Sequence, residues 1–334
     1  MGRIPRLQTK QRFSTTTTTD MNDGVVLVLT RLEDSSADMV ISHLIANGAQ
    51  VARFDPGADF PEKATLSTVF ADGSSWGCLT TPTRHIDLER VRAVYYRRPT
   101  PYRTGSACQV ERFSSAEIRF GLGGVLATLP CPYLSHPMTL AEAEQKPLQL
   151  LVAQRVGFAV PATLITNRLD DARTFAAEYG PIVYKPVRGT SFMESNGSLS
   201  TIWTTVVDPA DLNAAVRHAP HLFQERVDKT ADLRVTVVGE EIFCVRIDSD
   251  LLDWRADYDR ISYAVIEPPS GLPEKCLSFV MELGLRFGAF DFALTDDGPV
   301  FLECNPNGQW GWIEDHTGLP IAAAIADLLM KDST

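Results

Sequence analysis

The sequence has no long apolar run and little positive charge. No stretch approaches the roughly 18 consecutive apolar residues that a membrane-spanning helix requires, so we expect neither a transmembrane segment nor a membrane partner. Lysine and arginine number 31 against 42 aspartates and glutamates, which gives a net charge of -11. A duplex-nucleic-acid-binding protein would carry a basic footprint instead, so nucleic acid is not an expected partner.

Paired cysteines and a secretory signal are also missing. The six cysteines are scattered and form no C-x-x-C pair, which argues against a zinc site. Because no apolar signal segment precedes them, we interpret them as reduced thiols of a cytoplasmic protein. Residues 1–22 are basic and include the low-complexity stretch 15–19. They are predicted to be a disordered tail, with an organellar transit peptide as the alternative.

Strand and helix patterns alternate from Gly24 onward, which is typical of an α/β region. The apolar run Val25–Leu29 is predicted to be a buried parallel strand. A helix capped by Ser35 or Ser36 follows it, and residues 49–54 complete a βαβ unit. The remaining elements predicted in this region are a hairpin over 65–79, a strand over 91–96 and a helix over 111–129. No Gly-rich phosphate fingerprint follows the first strand.

From Thr139 the pattern changes to antiparallel hairpins mixed with helices, which indicates an α+β region. Pro147 suits the first turn of a helix, and Gly239-Glu240 suits a type II′ hairpin turn. The polar stretch 188–198, with two glycines, is predicted to be a mobile loop. The other elements predicted here are strands over 163–166, 182–185, 222–227, 289–294 and 300–304, and helices over 170–179, 272–287 and 319–330.

Three oxygen-bearing side chains are predicted to meet on the last hairpin. Asp291 lies six residues before Asp297 and Glu303 six residues after it. If the chain turns at Asp297, the two carboxylates face each other across adjacent strands, and Asn305 shares the face of Glu303. Like charges in this arrangement need compensation, and Mg²⁺ with hard oxygen ligands would provide it. The alternative is that lysines or backbone groups satisfy each carboxylate separately.

Two lysines and a polar loop are candidate phosphate ligands. Lys185 ends an apolar strand and precedes a proline, and Lys146 opens the helix that Pro147 begins. A lysine in such a place can reach a phosphate as a point charge, and the loop that starts at Arg188-Gly189 can add backbone N–H groups. The alternative for Lys185 is a side chain that extends from the strand end into water.

An arginine inside an apolar strand requires an anionic partner. Arg234 is such a residue, and an unpaired buried guanidinium is costly. A phosphate or carboxylate of a ligand, or the nearby Asp232, would satisfy it. Trp310 and Trp312 follow Asn305 closely and are predicted either to pack in the core or to wall a substrate cleft.

These residues together resemble the ATP-grasp ligase superfamily. The resemblance rests on Lys146, Tyr184-Lys185-Pro186, Gln224-Glu225, Asp232-Leu233-Arg234 and Asp291…Glu303-x-Asn305. A narrower resemblance, over about residues 24–330, is to the graspetide-type peptide ligases, the microviridin-type maturases of ribosomal peptides, and to their actinobacterial ester-forming branch. It rests on Tyr96-Arg97-Arg98-Pro99, Ile247-Asp248-Ser249, Asp253-Trp254-Arg255 and the run Asn305-Pro306-Asn307-Gly308-Gln309-Trp310.

The resemblance implies an α/β N-terminal preATP-grasp domain followed by an α+β two-lobed ATP-grasp domain. The implied bounds are 23–138 for the first domain and 139–331 for the second. Within the second domain, the central lobe would cover about 139–225 and the C-terminal lobe about 226–331. The resemblance also implies a homodimer.

Roles for the candidate residues follow from the same resemblance. Lys146 and Lys185 would hold the nucleotide phosphates, and the backbone of Glu225 and Val227 would contact adenine. The full implied nucleotide-binding set is Lys146, Lys185, Arg188, Gly189, Gln224, Glu225, Arg226, Val227 and Asp232. The implied ligands of Mg²⁺, with two ions expected, are Asp291, Glu303 and Asn305. The residues implied to bind the acidic substrate side chain and its acyl phosphate are Arg234, Arg246 and Arg255.

The implied reaction is an ATP-dependent macrocyclisation of a ribosomal precursor peptide, whose leader would dock near residues 242–253. An Asp or Glu carboxylate of the peptide would become an acyl phosphate and then an ester with a Ser or Thr hydroxyl, with release of ADP and phosphate. Asp248 and Asp253 are candidate bases for the hydroxyl. The alternatives are an amino-acid or glutamate ligase that forms amides on another substrate, and a nucleotide-binding scaffold without catalysis.

Overall fold

The computed structural model describes residues 24–102, 108–189, 191–194, 197–257 and 261–331. The predicted N-terminal tail, 1–22, lies outside the described residues. In the described part of the chain, no helix is long and apolar enough to cross a membrane.

The N-terminal region forms a small parallel sheet with a hairpin sheet beside it. Its strands and helices, in chain order, are β1 Val25–Leu29, α1 Ser35–Ala46, β2 Gln50–Phe54, α2 Pro56–Asp59, β3 Thr65–Ala71, β4 Ser74–Thr80, β5 His85–Asp87, β6 Val91–Tyr96 and α3 Gln109–Ala127. The parallel sheet has the order β2-β1-β6, and β3, β4 and β5 form an antiparallel sheet. This arrangement confirms the predicted α/β region.

A buried carboxylate, and not one of the predicted serines, caps α1. Asp34 accepts a hydrogen bond from the backbone N–H of Ala37 and another from the hydroxyl of Thr30. Ser35 and Ser36 are the first residues of the helix itself. Aspartate is as good a cap as serine, so the local sequence left this choice open.

The central region forms a four-stranded antiparallel sheet of order β11-β8-β12-β7, together with the pair β9-β10. Its elements are α4 Pro137–Ala143, α5 Lys146–Arg155, β7 Thr163–Thr166, α6 Leu169–Tyr179, β8 Ile182–Lys185, β9 Ser191–Met193, β10 Leu199–Thr201, β11 Thr205–Val207 and β12 His221–Glu225. The segment predicted to be a mobile loop therefore contains β9. The strand predicted over 222–227 ends at Glu225.

The C-terminal region is built on a five-stranded antiparallel sheet of order β15-β14-β13-β16-β17. Its elements are β13 Ala231–Val238, β14 Glu241–Asp248, β15 Ser262–Val265, α7 Leu272–Glu282, β16 Phe287–Thr295, β17 Gly298–Asn305, α8 Gly311–Thr317 and α9 Ile321–Met330. The helix predicted over 272–287 ends at Glu282, because Gly284 adopts a left-handed conformation with φ of 66° and the chain enters β16 at Phe287.

The N-terminal and C-terminal regions share one hydrophobic core. Val40 and Leu44 of α1 are fully buried in the same cluster as Ile325 of α9 and Ala289 of β16. Trp310 lies in this cluster too and has no exposed surface. The shared core fixes the N-terminal sheet against the sheet that carries the candidate carboxylates.

Five phenylalanines fill the other face of the C-terminal sheet. The ring of Phe158 stacks on that of Phe301 at 5.5 Å between centroids and meets Phe292 edge-on at 5.2 Å. Phe279 of α7 and Phe290 complete the cluster. Phe158 follows α5 in the chain and Phe301 lies on β17, so this cluster helps to hold α5 against β17.

We expect Phe158→Ala to lower the free energy of unfolding by about 3–5 kcal/mol, since it removes a buried ring and leaves a cavity. Urea unfolding followed by circular dichroism measures the change. Phe120→Ala is the matched control, because Phe120 is 75% exposed. A loss for Phe158→Ala of no more than about 0.5 kcal/mol, as at an ordinary surface site, would contradict this description of the core.

Candidate active site

A cleft of about 540 Å³ lies between the central and C-terminal sheets, and Arg98 of the N-terminal region also lines it. Thirteen of the fifteen predicted site residues line it. The two that do not are Arg234 and Arg246. Residues from three separate regions of the sequence thus converge on one cavity.

The two predicted carboxylates face each other across β16 and β17. Asp291 is paired in register with Glu303, and a bulge follows directly between Asp291 and Phe292. The amide nitrogen of Asn305 lies 3.4 Å from Asp291 Oδ2 and 3.4 Å from Glu303 Oε1. The three side chains therefore meet at one point, as the spacing about Asp297 predicts.

Lys146 is held against Glu303 by the way α5 docks on β17. One turn along α5, the buried Gln149 side chain donates to the carbonyl of Cys304 at 2.7 Å and accepts from its N–H at 3.0 Å. These two bonds fix the helix start beside the strand, so that Lys146 Nζ donates to Glu303 Oε2. The alternative predicted for the carboxylates, satisfaction by a lysine, is therefore observed at Glu303.

Arg255 supplies a second cation to Glu303. Its guanidinium donates to Glu303 Oε1 at 2.9 Å and to both oxygens of Asp253, at 2.8 and 2.9 Å. Burial alone would raise the pKa of Glu303, but the charges of Lys146 and Arg255 outweigh it and hold that pKa well below its usual range. Glu303 is therefore ionised at neutral pH.

Arg234 is paired with Asp291, and not with Asp232. The two residues lie in register on β13 and β16, and Arg234 Nη1 donates to Asp291 Oδ1 at 2.8 Å with both side chains buried. A second bond runs to the carbonyl of Gln309 at 2.7 Å. Asp232 is bound instead by Lys229 at 2.6 Å, and burial, opposed by Lys229, raises the pKa of Asp232 to about 6.

Arg246 lies outside the cleft lining. Its guanidinium is bound to Asp248, two residues along β14, at 2.8 Å, and both side chains are at least one-third exposed. Asp253, by contrast, lines the cleft. Burial would raise its pKa, but Arg255 outweighs that effect and lowers it, so this carboxylate is a weak base.

Lys185 ends β8 with its amine inside the cleft. It donates to Gln224 Oε1 at 2.7 Å, and Gln224 Nε2 in turn donates to Thr163 at 2.9 Å. Burial lowers the pKa of Lys185 to about 8, with Glu303 opposing that shift and Lys146 adding to it. The alternative of a strand-end lysine that extends into water is therefore wrong.

The chain leaves the central sheet where it passes the cleft. The backbone N–H of Glu225 donates to the carbonyl of Ala162 at 2.9 Å, and the backbone N–H of Arg226 donates to the carbonyl of Pro181 at 3.0 Å. Beyond these bonds the backbone runs along the cavity wall to Val227. A flat ligand can lie against this stretch and the loop at Arg188 and Gly189, since both line the cavity.

The donor set at the end of β17 fits Mg²⁺. The described residues contain no group of three or more His, Cys, Asp and Glu side chains arranged to bind a metal, so such a site depends on the amide of Asn305. Asp291 Oδ2 and Glu303 Oε1 both face that amide. Two carboxylates and an amide oxygen are the hard ligands that Mg²⁺ prefers, and a half-turn of the Asn305 amide would put its oxygen where its nitrogen now faces the carboxylates.

The tryptophans that line the cleft are not the predicted ones. Trp310 packs in the core, and Trp312 packs on Trp254 with 5.1 Å between ring centroids. Trp203 and Trp254 line the cavity instead. Sequence reasoning also missed Lys229 and Arg98 as cleft residues; Arg98 lies in a motif that the resemblance noted without assigning it a role.

Comparison with known proteins agrees with this geometry. Residues 25–139 match the family model described as the MvdD pre-ATP grasp domain. A Chryseobacterium gregarium RiPP-associated ATP-grasp ligase, solved with ADP and a leader and core peptide, is 29% identical, with a TM-score of 0.83, over 92% of this chain and 96% of that one. Macrocyclase MdnC from Microcystis aeruginosa MRC, solved with precursor peptide MdnA, is 30% identical, with a TM-score of 0.81, over 91% and 98%.

A curated relative with another substrate class is more distant. A probable alpha-L-glutamate ligase of Legionella pneumophila is 25% identical over 212 residues, which are 59% of this chain and 67% of the relative. Solved ATP-grasp ligases of similar fold hold ADP and Mg²⁺.

The fold and the cation-lined cleft define an ATP-dependent ligase of the ATP-grasp class. Because the identity to MdnC reaches 30% over nearly the whole of both chains, the protein belongs to the family of the microviridin-type macrocyclases. The family resemblance and fold class predicted from the sequence are thereby confirmed. The narrower assignment to an actinobacterial branch stays a prediction.

We expect nucleotide affinity to fall as the pH rises above about 8. A phosphate would bind the protonated amine of Lys185, and the pKa of about 8 means that this amine loses its proton in this range. The dissociation constant for MgADP should rise by up to about tenfold per pH unit above pH 8. Titration calorimetry between pH 7 and 9.5 measures the change.

Lys185→Arg is the matched control for this titration, because its guanidinium keeps its proton throughout that range. The pH dependence should then disappear while binding persists. An unchanged dissociation constant for the wild type over the same range would show that Lys185 does not contact the phosphates.

Proposed function

We propose that the protein is an ATP-dependent macrocyclase of a ribosomal precursor peptide. The observation that carries this proposal is the pair Asp291 and Glu303 at the floor of a cleft lined with lysines and arginines. Such an arrangement serves phosphoryl transfer, which needs positioning and charge neutralisation more than a protein nucleophile. The peptide-bound structures of related ligases support a peptide as the substrate.

The proposed reaction has two steps. A side-chain carboxylate oxygen of the peptide attacks the γ-phosphorus of ATP, the bond from that phosphorus to the β,γ-bridging oxygen breaks, and ADP leaves. A Ser or Thr hydroxyl of the same peptide then attacks the carbonyl carbon of the acyl phosphate. Inorganic phosphate leaves, the hydroxyl proton passes to solvent, and an intrapeptide ester remains.

Two lysines and the segment after β12 would hold the nucleotide. Lys146 and Lys185 lie at the phosphate end of the cleft, next to Glu303. The rest of the proposed nucleotide-binding set is Arg188, Gly189, Gln224, Glu225, Arg226, Val227 and Asp232. Asp291, Glu303 and Asn305 would hold Mg²⁺, of which we propose two ions, and the metal would neutralise charge on the transferring phosphoryl group.

The three proposed substrate arginines differ in their positions. Arg255 lines the cleft and contacts Glu303, so it is placed to stabilise charge at the transferred group. Arg234 acts through Asp291, whose orientation it sets, and is a positioning residue. Arg246 lies within the segment 242–253, where we propose that the leader peptide docks.

The domain bounds of this proposal are 23–138 for the preATP-grasp domain and 139–331 for the ATP-grasp domain. The change from the parallel to the antiparallel sheet supports the division, although α4 begins at Pro137 and crosses it. We also propose that the protein acts as a homodimer. Size-exclusion chromatography with light scattering tests the last point.

A second candidate function is addition of amino acids or glutamate to another substrate through amide bonds. The similarity to a probable alpha-L-glutamate ligase favours it. That enzyme class would use the same lysines and carboxylates, so the cleft does not separate the two candidates. A peptide requirement for ADP formation does.

The test is a mass spectrum of an acidic, Ser- and Thr-containing peptide encoded beside the gene, after incubation with the protein, ATP and Mg²⁺. We expect the loss of one water for each bond formed, reversed by mild base because esters hydrolyse there. Water loss that resists base would indicate amide bonds instead. An unchanged peptide with unspent ATP would contradict the macrocyclase proposal.

We expect Glu303→Ala to reduce ADP formation by about a hundredfold or more, because a metal carboxylate and the partner of Lys146 are both lost. The matched control is Glu282→Ala, which removes an exposed partner of Arg155 far from the cleft and should leave activity unchanged. Thermal unfolding of both variants separates a site effect from misfolding. Full activity in a folded Glu303→Ala protein would refute the metal site.

A further inference from the structure

Arg98 brings a guanidinium from the N-terminal region into the cleft. It follows β6 within the segment Tyr96-Arg97-Arg98-Pro99, and it lines the cavity where Asn305 and Asn307 also do. The side chain is half-buried. None of the roles considered above uses it.

Most other cations of the cleft already have a carboxylate partner. Lys146 and Arg255 contact Glu303, and Lys229 contacts Asp232. Within the described residues, no carboxylate forms an ion pair with Arg98. Its one side-chain hydrogen bond there is long, at 3.5 Å to the carbonyl of Asn307.

A second buried guanidinium lies directly beside it. Arg97 is 1% exposed, and its nearest carboxylate, Asp34, is 3.8 Å from Nε. Burial and, second to it, the charge of Arg97 lower the pKa of Arg98 to about 10. Asp34 is within ion-pair distance of Arg97 only, so the positive charge of Arg98, which lines the cavity, is not neutralised by a direct carboxylate contact.

The backbone around Arg98 is fixed in place. Arg97 donates to the carbonyls of Asn307 and Gly308, both at 2.8 Å, and to Gln309 Oε1 at 2.7 Å. The carbonyl of Arg98 accepts from the N–H of Arg31 at 3.1 Å. A group held in this way loses little entropy when it binds an anion.

Arg98 comes from a different region of the chain than the proposed nucleotide-binding residues. Lys185 and the segment after β12 belong to the central region, whereas Arg98 belongs to the N-terminal region and contacts the carbonyl of Asn307. A guanidinium presents two parallel N–H groups, and the planar carboxylate matches them. An anion that meets Arg98 would therefore also lie near Asn307, just beyond the end of β17.

We propose that Arg98 binds the side-chain carboxylate of the peptide's acidic residue before that carboxylate is phosphorylated. This inference rests on the proposed function and names a contact for its acyl donor. Arg234 and Arg255 are paired with the protein's own carboxylates, Arg246 lies outside the cleft lining, and Arg188 belongs to the proposed nucleotide-binding set. Arg98 is therefore the arginine that we assign to the substrate carboxylate, while Arg255 keeps its proposed role at the transferred group. Arg97 is its positioning residue.

A double-mutant cycle tests the contact. The probes are two synthetic peptides, one with a single glutamate at a position that the wild-type enzyme modifies and its twin with glutamine there. Dissociation constants are measured with MgADP present. We expect wild type to prefer the glutamate peptide by about tenfold or more, as for a charge-assisted pair, and Arg98→Met to bind both peptides equally.

Two further variants sharpen the result. Arg98→Lys keeps the positive charge but loses the two parallel N–H groups of the guanidinium. Its preference for the glutamate peptide should therefore lie between those of Arg98→Met and wild type. Arg84→Met removes an exposed arginine from the turn between β4 and β5, and the preference should remain in full. In steady-state assays, Arg98→Met should raise the KM for peptide and leave the KM for ATP unchanged.

Each outcome separates this inference from the proposed function. If wild type forms no ADP with peptide, the proposed function fails. If wild type turns over and Arg98→Met still prefers the glutamate peptide, Arg98 does not bind that carboxylate and the inference alone fails. If Arg98→Met instead weakens MgADP binding, the anion is a nucleotide phosphate, and the inference is again overturned.

Discussion

The structure depends on two like charges placed face to face. Asp291 and Glu303 are in register on adjacent strands, where they would repel each other unless compensated. The compensation comes from three separate elements: Lys146 at the start of α5, Arg234 on β13 and Arg255 after β14. Buried carboxylates are tolerated only with such partners. The ion pairs that offset the repulsion therefore also hold the central and C-terminal regions together.

A second set of bonds ties the N-terminal region to the same floor. Arg97 holds the carbonyls of Asn307 and Gly308, and Arg234 holds that of Gln309 while it contacts Asp291. The loop after Asn305 is thus fastened from both sides by buried guanidinium groups, and α1 packs on α9 behind it. Arg97 and Asn307 are 210 residues apart in the chain, and Asn307 is two residues after Asn305. The position of Asn305 therefore depends on contacts with the N-terminal region.

The arginines of this protein show why residue type does not decide a role. Arg97, Arg98, Arg234, Arg246 and Arg255 are chemically identical, yet each meets a different set of oxygens. Arg234 and Arg255 neutralise the protein's own carboxylates, Arg97 binds backbone carbonyls, and Arg246 pairs with Asp248 outside the cleft lining. Arg98 brings a guanidinium into the cleft without a carboxylate partner among the described residues, as Arg188 of the loop after β8 also does, and this is the condition for binding an anion from outside.

The sequence by itself determined the features that depend on near neighbours. The spacing about Asp297 predicted that Asp291 faces Glu303, and apolar runs and turn residues predicted the strands. The hairpin closes with Thr295 opposite Gly298, so the pairing of the two carboxylates also requires the bulge between Asp291 and Phe292, which the spacing did not predict. Tertiary structure decided the rest: the partner of Arg234 lies 57 residues away, and the burial that lowers the pKa of Lys185 arises only when the sheets meet. Electrostatic partners are chosen by distance in space, and distance in space between remote segments is set by packing, which no local pattern encodes.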